Sequence, residues 1–409
     1  MNDDAKTHLV QPFRALRPAP RYAADVAAPP YDVLNSEEAR ALAAGKPNSF
    51  LHISKPEIDL PEDMDVHAPE VYAKGGENMA RMISDGVLRR DDAPGYYIYR
   101  VQMGDHVQTG IAAAGSVAAY EAGLIRKHEL TRPDKEDDRV AQIEAVGAHT
   151  GPVFTVHKPD AVLAEIIESC AAAAPDYSAQ VGGVQHTIWC IDKAGDIAGV
   201  TEAFDRLGVI YIADGHHRSA AAGRVAAARP NQPEQHFLIV SFPADAVQIL
   251  DYNRVVRDLN GMTAAEFLDK LAGAFDVTAA QGPAKPGQPA SFGLYLDGGW
   301  HALRLKSPLP AGAPVDRLDV SILTAAILAP LLDIGDPRTD PRIDFIGGSR
   351  GMAELEKRVD SDGWAAAFAL YPTAMDDLIA VADASQIMPP KTTWFEPKLA
   401  DGLISLPLD

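Results

Sequence analysis

A short polar turn between two strongly patterned segments places the tightest constraint on this sequence. The apolar run Gly208–Ala213 (GVIYIA) has the length and β-branched content of a buried strand. The alanine-rich run Arg218–Ala228 (RSAAAGRVAAA) is a strong helix former. The segment Asp214–Arg218 (DGHHR) is therefore predicted to occupy a strand-to-helix turn.

The residues of this turn have the chemistry of an anion site. The first turn of a helix carries unpaired N–H groups and a partial positive charge. Gly215 lets the backbone approach a ligand, and Arg218 can hold two oxygens at once. One of His216 and His217 can donate a further hydrogen bond. The alternative is that Asp214 merely caps the helix while the histidines are ordinary polar residues, but so many polar residues at one turn favour the anion site.

The charge balance limits the classes of partner. The chain of 409 residues has a net charge of −20 and a pI near 4.9. Such a field repels a phosphate backbone, and no basic run gathers the cations on one face, so we expect no nucleic-acid partner. A local pocket of arginine, histidine and N–H groups can still bind a small anion.

The sequence predicts neither membrane insertion nor a disulfide framework. Its start, MNDDAKTHLVQPF, lacks a basic region followed by an apolar run, and no stretch of about 18 apolar residues occurs. We therefore expect a cytoplasmic protein. Cys170, in a predicted helix, and Cys190, in a predicted strand, are expected to be ordinary buried thiols.

The order of predicted elements indicates an α+β (mixed α/β) fold. Aromatic and β-branched residues on both sides of MGDH predict a hairpin, and a second hairpin surrounds DGG at 297–299. A β-α-β pattern surrounds a helix from about Asp160 to Ala173. The charged run Thr131–Arg139 (TRPDKEDDR) is predicted to be an exposed or cleft-lining loop, with helical spacing only from Arg139 onwards.

The turn resembles the phosphate-binding signature of the ParB and sulfiredoxin-like fold, in which a strand, a GxHR-type turn and a helix follow one another. DGHHR is the form seen in the free serine kinases of that superfamily. The whole chain also resembles a large prokaryotic family catalogued as a domain of unknown function. The motifs that carry this second resemblance are APPYDVL, RKHELTRPDKEDDR, ADGHHR and MPPKTTWFEPKL.

The resemblance to the kinases implies roles for individual residues. IRKHE at 125–129 is similar to the kinase segment whose His-Glu pair supplies a catalytic glutamate, and PPKTT at 389–393 resembles a C-terminal kinase motif. It implies that Glu129 is the catalytic base and that Asp214 orients the substrate or a metal. The implied phosphate or nucleotide ligands are Gly215, His216, His217 and Arg218. The implied substrate-binding residues are His128, Lys391, Thr392 and Thr393.

Three features of the sequence leave alternatives open. TRPDKEDDR is either a solvated loop or a lid, in which Lys135 and Arg139 are the candidate phosphate ligands. PPYDV, around Tyr31 and Asp32, is either a structural turn or part of the pocket. The loop IGGSRG at 346–351 is more typical of a plain turn than of an anion site.

The resulting expectation is a kinase that transfers phosphoryl from ATP or ADP to free L-serine, or to a similar small hydroxyl compound, with Mg²⁺ or a similar divalent cation. The alternative is a ParB-like nucleotide-binding regulator. Sulfiredoxin-like chemistry would need a cysteine where His216 stands. The phosphoryl donor, the metal ligands and the oligomeric state stay open.

The expected domains are an N-terminal segment (1–110) that packs on the core, a phosphate-binding core (111–260), and a C-terminal α/β subdomain (261–409) that closes the cleft.

Overall fold

The computed structural model describes residues 8–229 and 235–409. The chain forms two compact units, the first of Met1–Val247 with Pro397–Asp409 and the second of Gln248–Glu396. Residues 1–7 of the predicted N-terminal segment, and residues 230–234 of the predicted core, lie outside the described part. The first unit thus contains most of the two predicted N-terminal regions and also the end of the chain.

The strands of the described chain are β1 (Val10–Gln11), β2 (Leu16–Pro18), β3 (Leu88–Arg90), β4 (Tyr96–Met103), β5 (His106–Ser116), β6 (Ile125–Arg126), β7 (Ala148–His149), β8 (Val153–His157), β9 (Tyr177–Val181), β10 (Val184–Ile191), β11 (Ile210–Asp214), β12 (His236–Pro243), β13 (Gln248–Leu250), β14 (Tyr252–Val256), β15 (Phe275–Ala280), β16 (Ser291–Leu296), β17 (Gly299–Leu305), β18 (Ile343–Gly347), β19 (Ala366–Leu370), β20 (Trp394–Glu396) and β21 (Leu406–Pro407).

The α-helices of the described chain are α1 (Ala23–Val26), α2 (Ser36–Ala43), α3 (Leu51–Ser54), α4 (Pro69–Ser84), α5 (Val117–Glu121), α6 (Pro133–Val146), α7 (Ala161–Ala171), α8 (Ala194–Leu207), α9 (His216–Ala228), α10 (Ala264–Leu271), α11 (Asp319–Leu323), α12 (Met352–Asp360) and α13 (Met375–Asp383). Short 3₁₀ helices cover Pro20–Tyr22, Tyr31–Val33, Pro56–Asp59, Pro314–Arg317 and Gly348–Arg350, and a π-helical turn covers Thr324–Leu328.

The first unit is built on a mixed sheet with the strand order β6-β11-β8-β12-β5-β4-β10-β9, and β1 pairs with β5. All five residues of β8 are buried, as expected for a strand covered on both faces. Leu163 of α7, Phe204 of α8 and Ala222 of α9 share one apolar cluster with the sheet. The core of this unit therefore holds β11 and the start of α9 in fixed positions.

The strand directions bring three chain segments to one edge of this sheet. β6 runs parallel to β11, with Ile125 opposite Ile210, whereas β8 runs antiparallel to β11. The chain leaving β6 at residues 127–129, the chain leaving β11 at Asp214, and the chain entering β8 at Gly151 and Pro152 must therefore meet there. This edge is where the DGHHR turn lies.

The second unit contains an antiparallel sheet with the order β15-β17-β16-β19-β14-β18. Val255, Trp300, Leu355 and Trp364 belong to its apolar core. A separate antiparallel pair joins β13 to β20. The mixed α/β class predicted from the sequence is confirmed.

The structure confirms the predicted hairpins but differs from the predicted loop and from the predicted burial of the two cysteines. Both hairpins are confirmed, as β4–β5 and β16–β17. The loop predicted for Thr131–Asp138 is wrong, because α6 begins at Pro133. Proline suits the first helical position, and Asp134 and Glu136 complement the positive end of the helix. Cys170 and Cys190 carry no disulfide but are partly exposed rather than buried.

Candidate functional site

The DGHHR turn joins β11 directly to α9, as predicted. Asp214 ends the strand and His216 begins the helix, so Gly215 alone makes the turn. Gly215 is the N-cap residue and has a left-handed backbone with φ +98° and ψ 27°. No side chain caps the helix, so Asp214 does not act as the helix cap that the alternative reading required.

Asp214 is the centre of a small ionic cluster. Its Oδ2 accepts hydrogen bonds from Nη2 of Arg218, at 3.2 Å, and from Nζ of Lys398, at 3.4 Å. Burial by itself would raise the pKa of this carboxyl, but Lys398 and Arg218 outweigh burial and lower the pKa well below its usual range. Asp214 is therefore ionised throughout the neutral range.

Arg218 is nearly buried, with 9% of the residue exposed, and its guanidinium is held from three sides. Nη1 donates to the carbonyl of Pro152, and Nη2 faces both Asp214 and, at 3.8 Å, Oδ2 of Asp32. Burial lowers the pKa of Arg218, but the carboxylates of Asp32 and Asp214 more than reverse this effect and raise it. A permanently charged guanidinium is thus fixed beside the turn.

Glu129 lies at the same turn, close to His216. Its Oε2 is 3.6 Å from Nδ1 of His216, and Nε2 of His216 accepts the backbone N–H of His128 at 3.5 Å. The accepting Nε2 places the proton of the neutral ring on Nδ1, which faces Glu129. The Glu129 side chain is 43% exposed, whereas His216 is buried.

His128 packs edge-on against His216, with ring centroids 4.5 Å apart. Burial lowers the pKa of His128 to about 4 and holds the pKa of His216 well below its ordinary value. Both rings are therefore neutral at pH 7. Nδ1 of His128 is buried and has no hydrogen-bond partner among the described residues.

His217 contacts the segment that follows Glu129. Its Nε2 accepts the backbone N–H of Arg132 at 3.1 Å. His216 and His217 thus both receive N–H groups from the chain that carries Glu129. In this structure the histidines position that chain, and their phosphate-binding role stays a prediction.

Arg139 lies on α6 and stacks over Tyr31, with the guanidinium carbon 3.8 Å from the ring centroid. Its Nη2 donates to Oδ2 of Asp138 at 2.6 Å. Burial lowers the pKa of Arg139, but Tyr31 and Asp138 raise it by more. Lys135, predicted with Arg139 as a phosphate ligand, is exposed on the first turn of α6.

Asp401 is a buried carboxyl of this site that the sequence did not single out. It is 1% exposed, and its Oδ2 accepts the backbone N–H of Tyr31 at 3.2 Å. Burial raises the pKa of Asp401 to about 7, although the charge of Arg218 acts against this rise. Tyr31 and Asp32, in a 3₁₀ turn, therefore lie in the same cluster as Asp401 and Arg218, and a part for PPYDV in a ligand pocket stays a prediction.

The predicted PPKTT residues lie in the second unit. Arg254 donates from Nη2 to the carbonyl of Lys391 at 2.9 Å, and Oγ1 of Thr392 donates to the carbonyl of Pro389 at 2.6 Å. Lys391 is exposed, has φ +56°, and places Nζ 5.8 Å from the ring centroid of Tyr252, whereas Thr392 is buried. Thr393 is partly exposed beside them.

The sequence predicted no role for two residues of the cluster, Lys398 and Asp401. Both follow the WFEP segment and lie far from DGHHR in the chain, since 184 residues separate Lys398 from Asp214. Apart from the place of Lys398 in the MPPKTTWFEPKL motif, neither side chain stands in a local pattern that indicates a site. The segment that carries them is held by two backbone hydrogen bonds between Asp401 and Ala28, and by the Ala400 N–H, which donates to the hydroxyl of Tyr99 at 3.2 Å.

The part of the chain that the structure describes contains no group of three or more His, Cys, Asp or Glu side chains arranged to hold a metal ion. Within the same residues, no helix has both the length and the apolar character needed to cross a membrane.

Comparison with known proteins gives one family and several distant structural likenesses. The profile of the family described as "Protein of unknown function (DUF1015)" matches residues 10–321. None of the curated proteins matches the sequence.

Solved structures resemble the chain only distantly. SbnI with C-terminal truncation from Staphylococcus aureus is 11% identical, with a TM-score of 0.41, over 73% of this chain and 87% of that one. A free serine kinase in complex with AMP is 12% identical, with a TM-score of 0.36, over 73% of this chain and 92% of that one. A conserved hypothetical protein from Pyrococcus furiosus is 11% identical, with a TM-score of 0.35, over 73% and 95%.

Proposed function

The chain belongs to the DUF1015 family, and we propose that it is a phosphotransferase that moves a phosphoryl group from ATP or ADP to the hydroxyl of free L-serine or a similar small compound. The observation that carries the proposal is the cluster at the DGHHR turn. There the carboxylate of Glu129 lies 3.6 Å from His216, which starts the same helix as Arg218. A candidate base, on the chain that follows β6, thus lies beside the helix start that carries a fixed cation.

Phosphoryl transfer needs what this cluster can supply. The reaction requires positioning and charge stabilisation around the transferred group, and a base that accepts the proton of the attacking hydroxyl. Arg218, Lys398 and the first N–H groups of α9 are suited to phosphate oxygens. Glu129 is suited to the role of base because its side chain is 43% exposed and its carboxylate lies 3.6 Å from His216.

The proposed reaction is a direct transfer of the terminal phosphoryl group from the nucleotide to the serine hydroxyl. The serine hydroxyl gives its proton to Glu129 while its oxygen forms a bond to the terminal phosphorus of the nucleotide. The bond between that phosphorus and the bridging oxygen breaks, and the shortened nucleotide leaves with the bond electrons. The products are O-phosphoserine and ADP, or AMP where ADP is the donor.

A divalent cation fits the donor set of this site. Mg²⁺ usually takes one or two carboxylates together with nucleotide phosphates and water, so a cage of three side chains is not needed. Asp214, ionised and 32% exposed at its side chain, would hold it. When bound, the ion offsets the charge of the phosphates.

The assay combines purified protein, Mg²⁺, L-serine and either ATP or ADP, and it detects O-phosphoserine by mass spectrometry. Glu129→Gln should lower the rate by at least about 100-fold, since a general base contributes roughly 10²–10⁴. Glu144→Gln, an exposed carboxylate on α6, is the matched control and should retain the rate. Full activity in Glu129→Gln would remove the assignment of the base.

Absence of product with either nucleotide, across a panel of hydroxy-amino acids, would refute the kinase. Nucleotide binding with slow hydrolysis that serine does not change would instead support the ParB-like regulator. Closure of the cleft by the C-terminal region, and a part in substrate binding for Lys391, Thr392 and Thr393, remain proposals. Substitution of Thr392 should raise the KM for serine and leave the KM for nucleotide unchanged.

A further inference from the structure

Asp401 is fixed by hydrogen bonds to both its backbone and its side chain. Its backbone N–H and carbonyl both pair with Ala28, and its Oδ2 accepts the N–H of Tyr31. Its Oδ1 is buried and has no hydrogen-bond partner within the described residues. A buried oxygen without a donor is costly when the group is charged and much less so when it carries a proton.

Oδ1 of Asp401 and the side chain of Arg218 both lie close to Gly151. A Cβ built on Gly151 would be 3.2 Å from Cδ of Arg218 and 3.6 Å from Oδ1 of Asp401, so the two side chains adjoin the same point. The charged and titratable groups that face Asp401 come from four elements, namely Arg218 of α9, Arg139 of α6, Tyr31 and Asp32 of the 3₁₀ helix, and Tyr99 of β4.

The protonation of Asp401 decides how much of the charge of Arg218 is already neutralised. Asp214 and Asp32 both approach Nη2 of this guanidinium. An ionised Asp401 would add a third negative charge around one cation and would repel an incoming phosphate. A neutral Asp401 leaves the surroundings of Arg218 more favourable for a phosphate.

Building on the phosphate site proposed above, we propose that Asp401 is a positioning residue that does not contact the phosphate itself. It acts through Arg218, because it holds a proton while the phosphate is bound and so leaves the positive charge of Arg218 available to the ligand. The raised pKa of Asp401, about 7 in the unliganded chain, agrees with this role. A bound phosphate adds negative charge near the carboxyl of Asp401 and therefore raises its pKa further. Ligand binding and proton uptake are coupled, and affinity falls as pH rises.

The experiment measures the Kd of ADP by calorimetry between pH 6 and pH 9 for the full chain and two variants. Asp401→Asn keeps the shape and the acceptor for Tyr31 but cannot ionise. Asp319→Asn is the matched control, because Asp319 is also a carboxyl with a buried, unpartnered oxygen and a raised pKa, and it belongs to the second unit. ADP's own titration is common to all three proteins and cancels in the ratios.

From pH 6 to pH 9 the wild-type Kd should rise about tenfold relative to that of Asp401→Asn, which corresponds to one pKa unit of coupling. Asp319→Asn should follow the wild type. Equal pH slopes in wild type and Asp401→Asn would overturn the coupling and leave the phosphate site standing. Failure of wild type to bind ADP at every pH would overturn both proposals together.

A second measurement covers the case in which Asp401→Asn does not fold. Calorimetry of the wild type near pH 7.5, in buffers of different ionisation enthalpy, counts the protons taken up on ADP binding. Net uptake beyond that of ADP itself supports the coupling, and its absence refutes it. An infrared band of a protonated carboxyl that grows on ADP addition is the expected spectroscopic signature.

Discussion

Replacement of Gly215 by alanine is the sharpest test of the turn geometry. Gly215 has φ +98°, a backbone conformation that alanine rarely adopts. A Cβ at this position would also lie 3.0 Å from both Cζ and Nε of Arg218. The substitution therefore strains the backbone and pushes against a guanidinium that is anchored to Pro152 and Asp214.

The magnitude follows from these two effects. A non-glycine residue in the left-handed region costs about 1–2 kcal/mol. Displacing Arg218 disturbs charge-assisted hydrogen bonds, each worth about 1.5–3 kcal/mol. We expect Gly215→Ala to destabilise the first unit by about 3–5 kcal/mol. Gly208→Ala is the matched control, since Gly208 has φ +71° but no described atom within 4 Å of its added Cβ, so only about 1–2 kcal/mol should be lost.

Hydrogen exchange of peptides from β11 and α9 measures the free energy of opening in the first unit, and calorimetry measures ADP binding. Gly215→Ala should lose at least about tenfold in ADP affinity through the displaced Arg218, whereas Gly208→Ala should bind as wild type does. In an Arg218→Met background the extra cost of Gly215→Ala should disappear, because the clash is gone. Equal destabilisation by the two alanines, with ADP binding intact in both, would refute the proposed contact between Gly215 and Arg218.

Three further predictions test other parts of the chain. Acidification from pH 6.5 to pH 4 should destabilise the first unit by about 3 kcal/mol for each of the buried residues His128 and His157. Burial lowers the pKa of both in the folded state to about 4, so the unfolded chain binds more protons in this pH range. Urea unfolding midpoints that do not change with pH would contradict this. Lys398→Met should raise the pKa of Asp214, because Lys398 lowers that pKa, and carboxyl NMR measures the change. The same substitution should weaken ADP binding about tenfold. Unchanged ADP affinity would exclude Lys398 from the site. Asp319→Asn should stabilise the second unit by about 3 kcal/mol above pH 6, because burial raises the pKa of Asp319 to about 6 and makes its ionisation costly. Hydrogen exchange in α11 measures the gain, and no gain would refute the buried charge.

The strand, turn and helix around DGHHR could be predicted because their causes are local. A β-rich apolar run, a glycine able to take positive φ, and an alanine-rich run all act within one short segment. The location of Glu129 near His216 follows from the parallel pairing of β6 with β11, which the local pattern could not reveal. The family resemblance, rather than periodicity, pointed to Glu129.

The start of α6 was missed because its first two turns are almost entirely polar. Apolar periodicity signals a helix only where one face meets a core. Here polar partners replace that core, since Tyr72 donates to Asp138 at 2.9 Å and Arg224 donates to Asp137 at 2.6 Å. Asp401 was missed for a different reason, because nothing in the sequence near the chain end indicates that it pairs with Ala28.

The charges of the cluster determine how a phosphate would bind at the proposed site. Arg218 and Lys398 both already contact Asp214, so an arriving phosphate replaces carboxylate partners rather than meeting bare cations. The gain is the difference between two ionic arrangements, and it is small for a single phosphate. A ligand with several phosphate oxygens, which also engages the N–H groups of α9, gains more. ADP should therefore bind more tightly than inorganic phosphate by well over tenfold, and equal affinities would mean that the turn does not receive the nucleotide's phosphates.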